Sequence, residues 1–190
     1  MNYTKESDWD LRKKAWHRRY RWATVPSDIW CSLDGDLDCR AVDRIIAAIE
    51  QAPDAPVFLQ VHSHGDSVGA AWECYERLRQ HPGPVTTVAG SRCHSAAMIL
   101  YLGGDTRLAS RSSRFLIHGS AGELIGRASA VTLRSALRDT EEVDQDMLDL
   151  ICLRANNRYP LWQARNEMYD EITLTGAGAH SRGLVTQLID

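Results

Sequence analysis

Short apolar runs with β-strand character alternate with stretches of helical periodicity along the chain. DIWCSLDGDL predicts a strand that ends in a turn, and the next segment, Cys39–Gln51, repeats the apolar residues Val42, Ile45, Ile46 and Ile49 at helical spacing. VFLQV and VTTVAG predict two further strands, each followed by a polar turn (HSHGDS or SRCHS) and a helix. The pattern therefore predicts repeated strand–helix units.

The same alternation extends to the C-terminus. TRLAS and RFLIH have strand character, a long charged helix is predicted from Ala130 to about Arg158, and a second helix covers Leu161–Tyr169. The ending EITLTGAGAHSRGLVTQLID predicts a turn, a helix of small residues and a short final strand. This alternation favours an α/β fold of right-handed β-α-β units, in which ligands bind at the carboxyl ends of the strands. The turns HSHGDS and SRCHS and the strand end at His118 are expected to share that face.

Length and charge narrow the class of protein. A chain of 190 residues suits one compact domain, and a net charge of −3 argues against a globally basic nucleic-acid binder. The exception is Lys13–Trp22, KKAWHRRYRW, which holds five cations and three aromatic residues. This basic aromatic arm (residues 1–28) could contact nucleic acid, an acidic partner or a membrane surface, or form a helix that docks on the body or on another subunit.

The chain carries no pattern typical of export. Residues 1–10 are polar, without the apolar segment of a signal peptide, and no apolar run reaches the ~20 residues that span a bilayer. The five cysteines are an odd number without paired spacing, which argues against a disulfide framework. We therefore expect a cytoplasmic protein without a membrane segment.

The loop HSHGDSVG, residues 62–69, admits a metal-binding interpretation. His62, His64 and Asp66 follow a His-x-His-x-Asp spacing that could bind zinc in a metal-dependent hydrolase. The last histidine of the zinc signature is replaced here by Ser67. The alternative is a turn that presents backbone N–H groups to a substrate.

A serine-based interpretation uses residues from four segments. Ser95 stands at a sharp strand-to-helix turn, followed by the small residue Ala96, whose N–H could help to form an oxyanion hole. His118, 23 residues later, leaves a strand end and could act as general base. Asp170 or Glu171 could orient the imidazole and stabilise its cation. Taken singly, Ser95 also fits a simple helix N-cap.

The order and spacing of these segments resemble the Clp protease proteolytic subunit family, within the ClpP/crotonase superfamily. The family's strand–Asn-Ser-Pro-Gly-Gly-Ser–helix motif matches VFLQVHSHGDSVGAAWECYERL, and its glycine turn and Ser-Met-Gly-Ala helix match VAGSRCHSAAMILYLGG. Its Met-Ile-His-Gln segment matches FLIHGS, and its Asp-x-Phe-Leu-Ser-Ala ending matches EITLTGAGAHSRGLV. The resemblance runs from about Ile29 to Asp190 and implies a repeated β-β-α spiral fold, with the long helix from Ala130 as a protruding handle.

The resemblance implies roles for individual residues. Ser95 would be the nucleophile and His118 the general base, while Glu171, or Asp170 one step away, would take the acidic position. The oxyanion hole would come from the backbone of Ala96 and the Gly65/Asp66 turn, where Asp66 replaces the family's second glycine.

The resemblance also implies a function and an assembly. The domain of residues 29–190 would be a serine endopeptidase that needs no cofactor, acts on peptides or proteins and assembles into a homo-oligomeric ring. An ATPase unfoldase or other partner could be recruited through the basic aromatic arm. The alternatives left open are a catalytically impaired scaffold or regulatory subunit, the acyl-CoA chemistry of the crotonase branch, and the metal-dependent hydrolase.

Overall fold

The structure, a computed structural model, describes residues 28–121 and 127–189 as an α/β fold built on one sheet. Within these residues the strands are β1 (Ile29–Asp34), β2 (Val57–Ser63), β3 (Val85–His94), β4 (Thr106–Ala109), β5 (Arg114–Leu116), β6 (Thr173–Thr175) and β7 (Gln187–Leu188). The helices are α1 (Cys39–Glu50), α2 (Val68–Gln80), α3 (Ala96–Leu102), α4 (Ala130–Arg154), α5 (Leu161–Tyr169) and α6 (Gly176–Ser181). The basic aromatic arm lies outside the described residues except for residue 28, so its separation as an N-terminal unit stays a prediction.

The sheet is parallel except at one pair of short strands. Its main order is β1-β2-β3-β4-β7, with β5 beside the distal end of β3 and β6 antiparallel to β5. Ile29 pairs with Val57 and Val57 with Val85, so the first three strands repeat every 28 residues in register. The predicted strand–helix alternation and parallel sheet are confirmed.

The first helices follow from apolar spacing and polar caps. Helix α1 buries the predicted set of Val42, Ile45, Ile46 and Ile49 against the sheet. Its N-cap, Asp38, accepts a hydrogen bond from the third helical residue, as N-cap side chains commonly do. Helix α3 has no polar face, and all seven of its residues are buried. The residues just before this helix are therefore anchored next to the core.

Strand β3 is longer than the sequence predicted. SRCHS was expected to be a turn, but residues 91–94 continue the strand, and Arg92–His94 pair with Arg114–Leu116 of β5. The ladder to β2 shifts there, because Val61 pairs with Ala89 while Ser63 pairs with Cys93. Local pattern could not show this extension because its partner strand lies about 22 residues further along the chain.

Two C-terminal boundaries also differ from the predicted ones. Strand β6 forms just before the small-residue helix, where a turn was expected, because it pairs with β5. The long helix α4 ends at Arg154 rather than near residue 158. At 25 residues it is about 37 Å long, and its buried residues all lie in its C-terminal third, Met147–Ile151. The remainder projects as the predicted handle.

A buried arginine ties the base of this handle to the C-terminal segment. Arg107 of β4 is 6% exposed, and burial lowers the pKa of its guanidinium to about 10. Its nitrogens donate to four backbone carbonyls, those of Gly104, Arg154, Gly183 and Leu184. The side chain therefore holds α4, β4 and the segment before β7 together without a carboxylate partner in these contacts.

Candidate active site

Ser95 joins β3 to α3 in a conformation that few non-glycine residues adopt. Its φ is 52° and its ψ is −131°, and it stands at the N-cap of α3 without a capping hydrogen bond from its side chain. The caps Asp38, Ser67, Ser129 and Thr175 each accept such a bond from their helices. Ser95 therefore occupies the N-cap position without capping the helix through its hydroxyl.

The backbone around Ser95 holds this turn in place. The Ser95 N–H donates to the carbonyl of Leu116 on β5 at 2.9 Å, and Met98 N–H donates back to the Ser95 carbonyl at 2.9 Å. Ala96 and Ala97, the small residues after the serine, are 1% and 0% exposed. A strained strand-to-helix turn of this kind, over-determined by its surroundings, is the arrangement that projects a nucleophilic hydroxyl.

Gly65 lies directly against the Ser95 turn. A β-carbon on Gly65 would lie 3.0 Å from the Ala96 nitrogen, the His94 carbonyl oxygen and the Ser95 β-carbon, and its φ is +100°. Both the close approach and the left-handed backbone require glycine here. The loop after β2 and the turn after β3 are therefore in van der Waals contact, as their placement on one face predicted.

The Gly65 peptide group is itself hydrogen-bonded. Its N–H donates to Ser63 Oγ at 3.0 Å, and its carbonyl accepts from Leu37 N–H at 3.1 Å. These bonds fix the loop. The other two nominated donors, the N–H groups of Asp66 and Ala96, have no hydrogen-bond acceptor among the described residues. Of the three residues nominated for the oxyanion hole, Gly65 thus fits a positioning role.

Asp66 occupies a glycine-like conformation. Its φ is 130°, and the Leu37 carbonyl accepts from the following N–H, that of Ser67, at 3.0 Å. The Asp66 residue is exposed, so solvent and salt screen the charge of its carboxylate. A negative side chain beside a developing oxyanion is unfavourable, and exposure reduces this penalty without removing it.

His118 lies two residues beyond the Leu116 carbonyl that holds Ser95. Its Nδ1 is 2.8 Å from the carbonyl oxygen of Gly119, so Nδ1 carries the proton and donates to that oxygen. In this tautomer Nε2 is unprotonated and can accept a proton. The half-buried imidazole is thus set up as a base by a backbone carbonyl, where the sequence predicted a carboxylate.

The two candidate acids stand at the end of α5. Glu171 N–H donates to Met168 O at 3.2 Å and Ile172 N–H to Glu167 O at 2.9 Å, which is a Schellman motif with Glu171 at its left-handed position, φ 50°. The antiparallel pairing of β5 with β6 ends at Leu116 and Thr173, two residues from His118 and two residues from Glu171. Asp170 is the helix C-cap one step earlier.

Both carboxylates are exposed, and the described hydrogen bonds and ion pairs join neither of them to His118. The contact of either carboxylate with His118 therefore stays a prediction. Of the two acids, only Glu171 has a left-handed backbone.

The helix that carries these acids is anchored by an ion pair. Arg182 Nη2 is 2.6 Å from Glu167 Oε1, and Tyr159 donates its hydroxyl to Glu167 Oε2 at 2.5 Å. Burial would raise the pKa of the Glu167 carboxyl, but hydrogen bonds from Arg182 and Tyr159 hold it below its usual value. The end of α5 is thus fastened to the segment after α6.

The metal-binding interpretation of HSHGDSVG finds no supporting geometry. Across residues 28–121 and 127–189, no three His, Cys, Asp or Glu side chains are placed to share a metal ion. His62 Nε2 is 3.1 Å from Ser91 Oγ, and His64 packs its ring edge-on against His94 with centroids 5.2 Å apart. The histidines that suggested a shared site therefore point to different partners.

His94, immediately before Ser95, contributes an unpartnered polar atom. Its Nε2 is buried and has no hydrogen-bond partner within the described part of the chain. Burial lowers the pKa of the His94 imidazole, and the neighbouring charges of His64, Arg92, His118 and His62 lower it further. The ring is therefore neutral at pH 7 and packs beside the candidate nucleophile.

Sequence reasoning missed the backbone and hydroxyl groups that position the site. Ser63 holds Gly65, and Gly119 holds His118, yet neither was nominated. Ser63 could have been found from its place in the matched motif, two residues before the glycine. No sequence signal marks a backbone carbonyl as the partner of His118.

The described helices also bear on the membrane question. None of them combines the length and the apolar character needed to cross a bilayer.

Comparison with known proteins identifies the family to which this fold belongs. The sequence model of the Clp protease family aligns with residues 30–190. A curated relative, the ATP-dependent Clp protease proteolytic subunit of Pleurastrum terricola, is 31% identical over 103 residues, which are 51% of this chain and 53% of that protein. The chain thus spans about half the length of this relative.

A solved structure extends the match in three dimensions. A ClpP1 mutant from Listeria monocytogenes superposes with a TM-score of 0.73 and covers 95% of this chain and 96% of that one, at 17% sequence identity. At this identity the match shows the fold, including the repeated strand–helix units and the long helix. Because the family model also covers most of the chain, the protein belongs to the Clp protease family.

Proposed function

We propose that the protein is a serine endopeptidase of the Clp type, with Ser95 as nucleophile and His118 as general base. The observation that carries the proposal is the Ser95 turn, a left-handed, uncapped serine packed against Gly65. Membership of a family whose members are serine peptidases supports it. Peptides or unfolded proteins are the substrate class.

In the proposed mechanism Ser95 Oγ attacks the scissile carbonyl while His118 Nε2 takes the hydroxyl proton. The N–H groups of Asp66 and Ala96 stabilise the oxyanion. His118 then gives the proton to the leaving amine, and a water molecule, activated by the same nitrogen, hydrolyses the acyl-enzyme. Each step uses the Nδ1-protonated tautomer that the Gly119 carbonyl selects.

The Glu171 carboxylate completes the site in this proposal. A backbone carbonyl fixes the tautomer but carries no net charge, so it stabilises an imidazolium less than a carboxylate does. Glu171, two residues before the strand that pairs with β5, supplies that charge when its side chain turns inward. Asp170 is the second candidate for the role.

We also propose assembly into a ring through the handle helix. Leu133 and Leu137 of α4 lie one turn apart on the projecting half of the helix and are 49% and 57% exposed, which forms an apolar strip on one face. Ring assembly would bury these side chains and enclose the active sites in a cytoplasmic protease. Clp family proteases work with Clp ATPases, and such an ATPase is the proposed partner.

Covalent labelling tests the proposal. The folded protein is treated with a fluorophosphonate, digested with trypsin and mapped by mass spectrometry. The expected adduct lies on Ser95 in the peptide Cys93–Arg107. It should disappear in Ser95→Ala and form at least about 100-fold more slowly in His118→Gln.

Two outcomes of this experiment count against the proposal. A folded protein that gives no adduct on the peptide Cys93–Arg107 would contradict the nucleophile assignment. A rate of labelling that is unchanged in His118→Gln would contradict the assignment of the base.

A further inference from the structure

A second serine–histidine–carboxylate chain lies at the edge of the same sheet, outside the proposed peptidase site. Ser91 Oγ is 3.1 Å from His62 Nε2, and His62 Nδ1 is 3.3 Å from Asp34 Oδ1. The three residues come from three adjacent parallel strands, β3, β2 and β1. The proposed Ser95 mechanism gives none of the three residues a role.

The regular register of the strands builds this chain. Asp34 pairs with His62 across β1 and β2, as Ile29 pairs with Val57 at the start of the same ladder. On β3 the 28-residue repeat leads to Gly90, where a β-carbon would lie 2.7 Å from the His62 β-carbon. Glycine at position 90 therefore leaves room for the His62 imidazole, and the hydroxyl of the next residue, Ser91, contacts that ring.

A bulge in β3 presents the Ser91 hydroxyl. Between the pairs Val61–Ala89 and Ser63–Cys93, three residues of β3 stand opposite the single residue His62. The ladders of β3 to β2, β4 and β5 give no paired partner to residues 90 and 91. Ser91 is exposed, so a substrate from solvent can reach its hydroxyl.

The arrangement fits a nucleophile with its base. Asp34 beside Nδ1 favours the tautomer with the proton on that nitrogen, so Nε2 accepts the hydrogen bond from Ser91 Oγ. The His62 side chain is 24% exposed, which shields it partly from water and keeps it in one place, while that of Asp34 is 79% exposed. The order serine, imidazole, carboxylate is that of acyl-transfer sites on many unrelated folds.

We propose that Ser91, His62 and Asp34 form a second acyl-transfer site, which takes small activated esters. Ser91 Oγ bonds to the carbonyl carbon of the ester, and its proton passes to His62 Nε2. The C–O bond to the leaving group breaks, and the alcohol departs with that proton. Water then attacks the acyl-Ser91 ester through the same base, releasing a carboxylic acid and restoring the hydroxyl.

The exposed position selects this class of substrate. An open sheet edge does not enclose a peptide, so binding contributes little and the leaving group must be a good one. Aryl esters and fluorophosphonates meet these requirements because they acylate or phosphonylate a serine without a deep binding pocket.

Trypsin separates the two candidate nucleophiles, because Arg92 lies between them. Ser91 falls in the peptide Gln80–Arg92 and Ser95 in the peptide Cys93–Arg107. In Ser95→Ala, the fluorophosphonate is expected to leave an adduct on the first peptide and none on the second. Ser95→Ala combined with Ser91→Ala should give no adduct on either.

Substitutions of the base, His62, and of the carboxylate, Asp34, are expected to slow the labelling of Ser91 to different extents. In the Ser95→Ala background, His62→Gln should slow labelling of Ser91 about 100-fold and Asp34→Asn about tenfold. Ser32→Ala, on an exposed position of β1 two residues before Asp34, is the matched control and should leave the rate within about twofold. Hydrolysis of p-nitrophenyl acetate by these variants should fall in the same order.

The results separate this site from the peptidase site. An adduct on the Ser95 peptide alone, in the wild type, overturns the second site and leaves the proposed peptidase standing. An adduct on the Ser91 peptide alone does the reverse. Labelling of Ser91 at an unchanged rate in His62→Gln also overturns the proposal, since the hydroxyl would then react without the imidazole.

Discussion

Gly65 and Ser95, 30 residues apart in the chain, are packed so closely that a β-carbon on Gly65 would require its neighbours to move by a few tenths of an ångström. A methyl group on Gly65 would lie 3.0 Å from the Ser95 β-carbon and from the Ala96 nitrogen. This contact brings the loop after β2 onto the turn after β3, where the proposed nucleophile and oxyanion donors meet. The geometry of the site thus depends on the absence of a side chain.

Gly65→Ala is therefore expected to impair both stability and chemistry. The left-handed backbone and the displaced Ala96 nitrogen should together cost about 1–3 kcal/mol of unfolding free energy. Fluorophosphonate labelling of Ser95 should fall by at least about tenfold, because Ala96 carries a proposed oxyanion donor. Urea unfolding and timed labelling measure the two effects.

Gly69→Ala is the matched control for this substitution. Gly69 lies in helix α2, its φ is not left-handed, and a β-carbon there has no atom within 4 Å. Alanine should leave labelling unchanged and raise the unfolding free energy by up to about 1 kcal/mol. Equal behaviour of Gly65→Ala and Gly69→Ala would contradict the packing argument.

Glu171→Gly should separate stability from catalysis. Glycine removes the strain of a left-handed residue at the end of α5, so the unfolding free energy should rise by about 0.5–1 kcal/mol. The acylation rate of Ser95 should nonetheless fall, because the proposed partner of the His118 cation is lost. Thermal unfolding and labelling kinetics on one preparation test both halves.

Asp170→Asn distinguishes the two acids. Asp170 has an ordinary helical φ, so this change should move stability little and, if Glu171 is the third member, leave acylation near the wild-type rate. A large loss of acylation in Asp170→Asn with none in Glu171→Gly would transfer the role to Asp170.

His94→Phe is expected to stabilise the protein and change its pH dependence. The substitution removes a buried Nε2 without a partner, a gain of about 1 kcal/mol at pH 7. Burial lowers the pKa of His94 in the folded state, so its contribution to stability is complete above the unfolded value near 6.5 and is lost as pH falls below it. The advantage of phenylalanine should therefore grow between pH 7 and pH 5.

Urea midpoints over this pH range provide the measurement. His180→Phe serves as the control, because no buried unpartnered nitrogen is found on His180. A stability difference between wild type and His94→Phe that stays constant from pH 7 to pH 5 would contradict the assignment.

Leu137→Asp should weaken assembly while the subunit stays folded. Leu137 is 57% exposed on the handle, so a charge there costs the isolated chain little, but it would be buried unpaired in a ring interface. Light scattering should show a smaller oligomer at equal concentration. Ser135→Asp, on the opposite face of α4, should assemble like the wild type, and a Leu137→Asp protein of unchanged mass would contradict the proposed interface.

The sequence predicted those features that local pattern controls. The approximate bounds predicted for α5 agree with the structure, and α1 buries the four apolar residues that its spacing indicated. The fold class followed from the alternation of strands and helices, while the roles nominated for Ser95 and His118 stay predictions.

Features that depend on distant pairing were not predicted. The last residues of β3 looked like a turn because only β5 makes them a strand. His62 looked like a metal ligand because its neighbours in sequence are polar, whereas its partners Asp34 and Ser91 are 28 and 29 residues away. The Gly119 carbonyl beside His118 is a backbone contact that side-chain identity does not encode.

The bulge at residues 90–92 divides β3 into two parts that pair with β2 in different registers. By absorbing extra chain length, it separates the row that contains Asp34 and His62 from the turn at Ser95 further along β3. A substitution in that row need not move the turn, since the irregular segment takes up small displacements. The hydroxyls of Ser91 and Ser95, four residues apart, can thus be altered independently of each other.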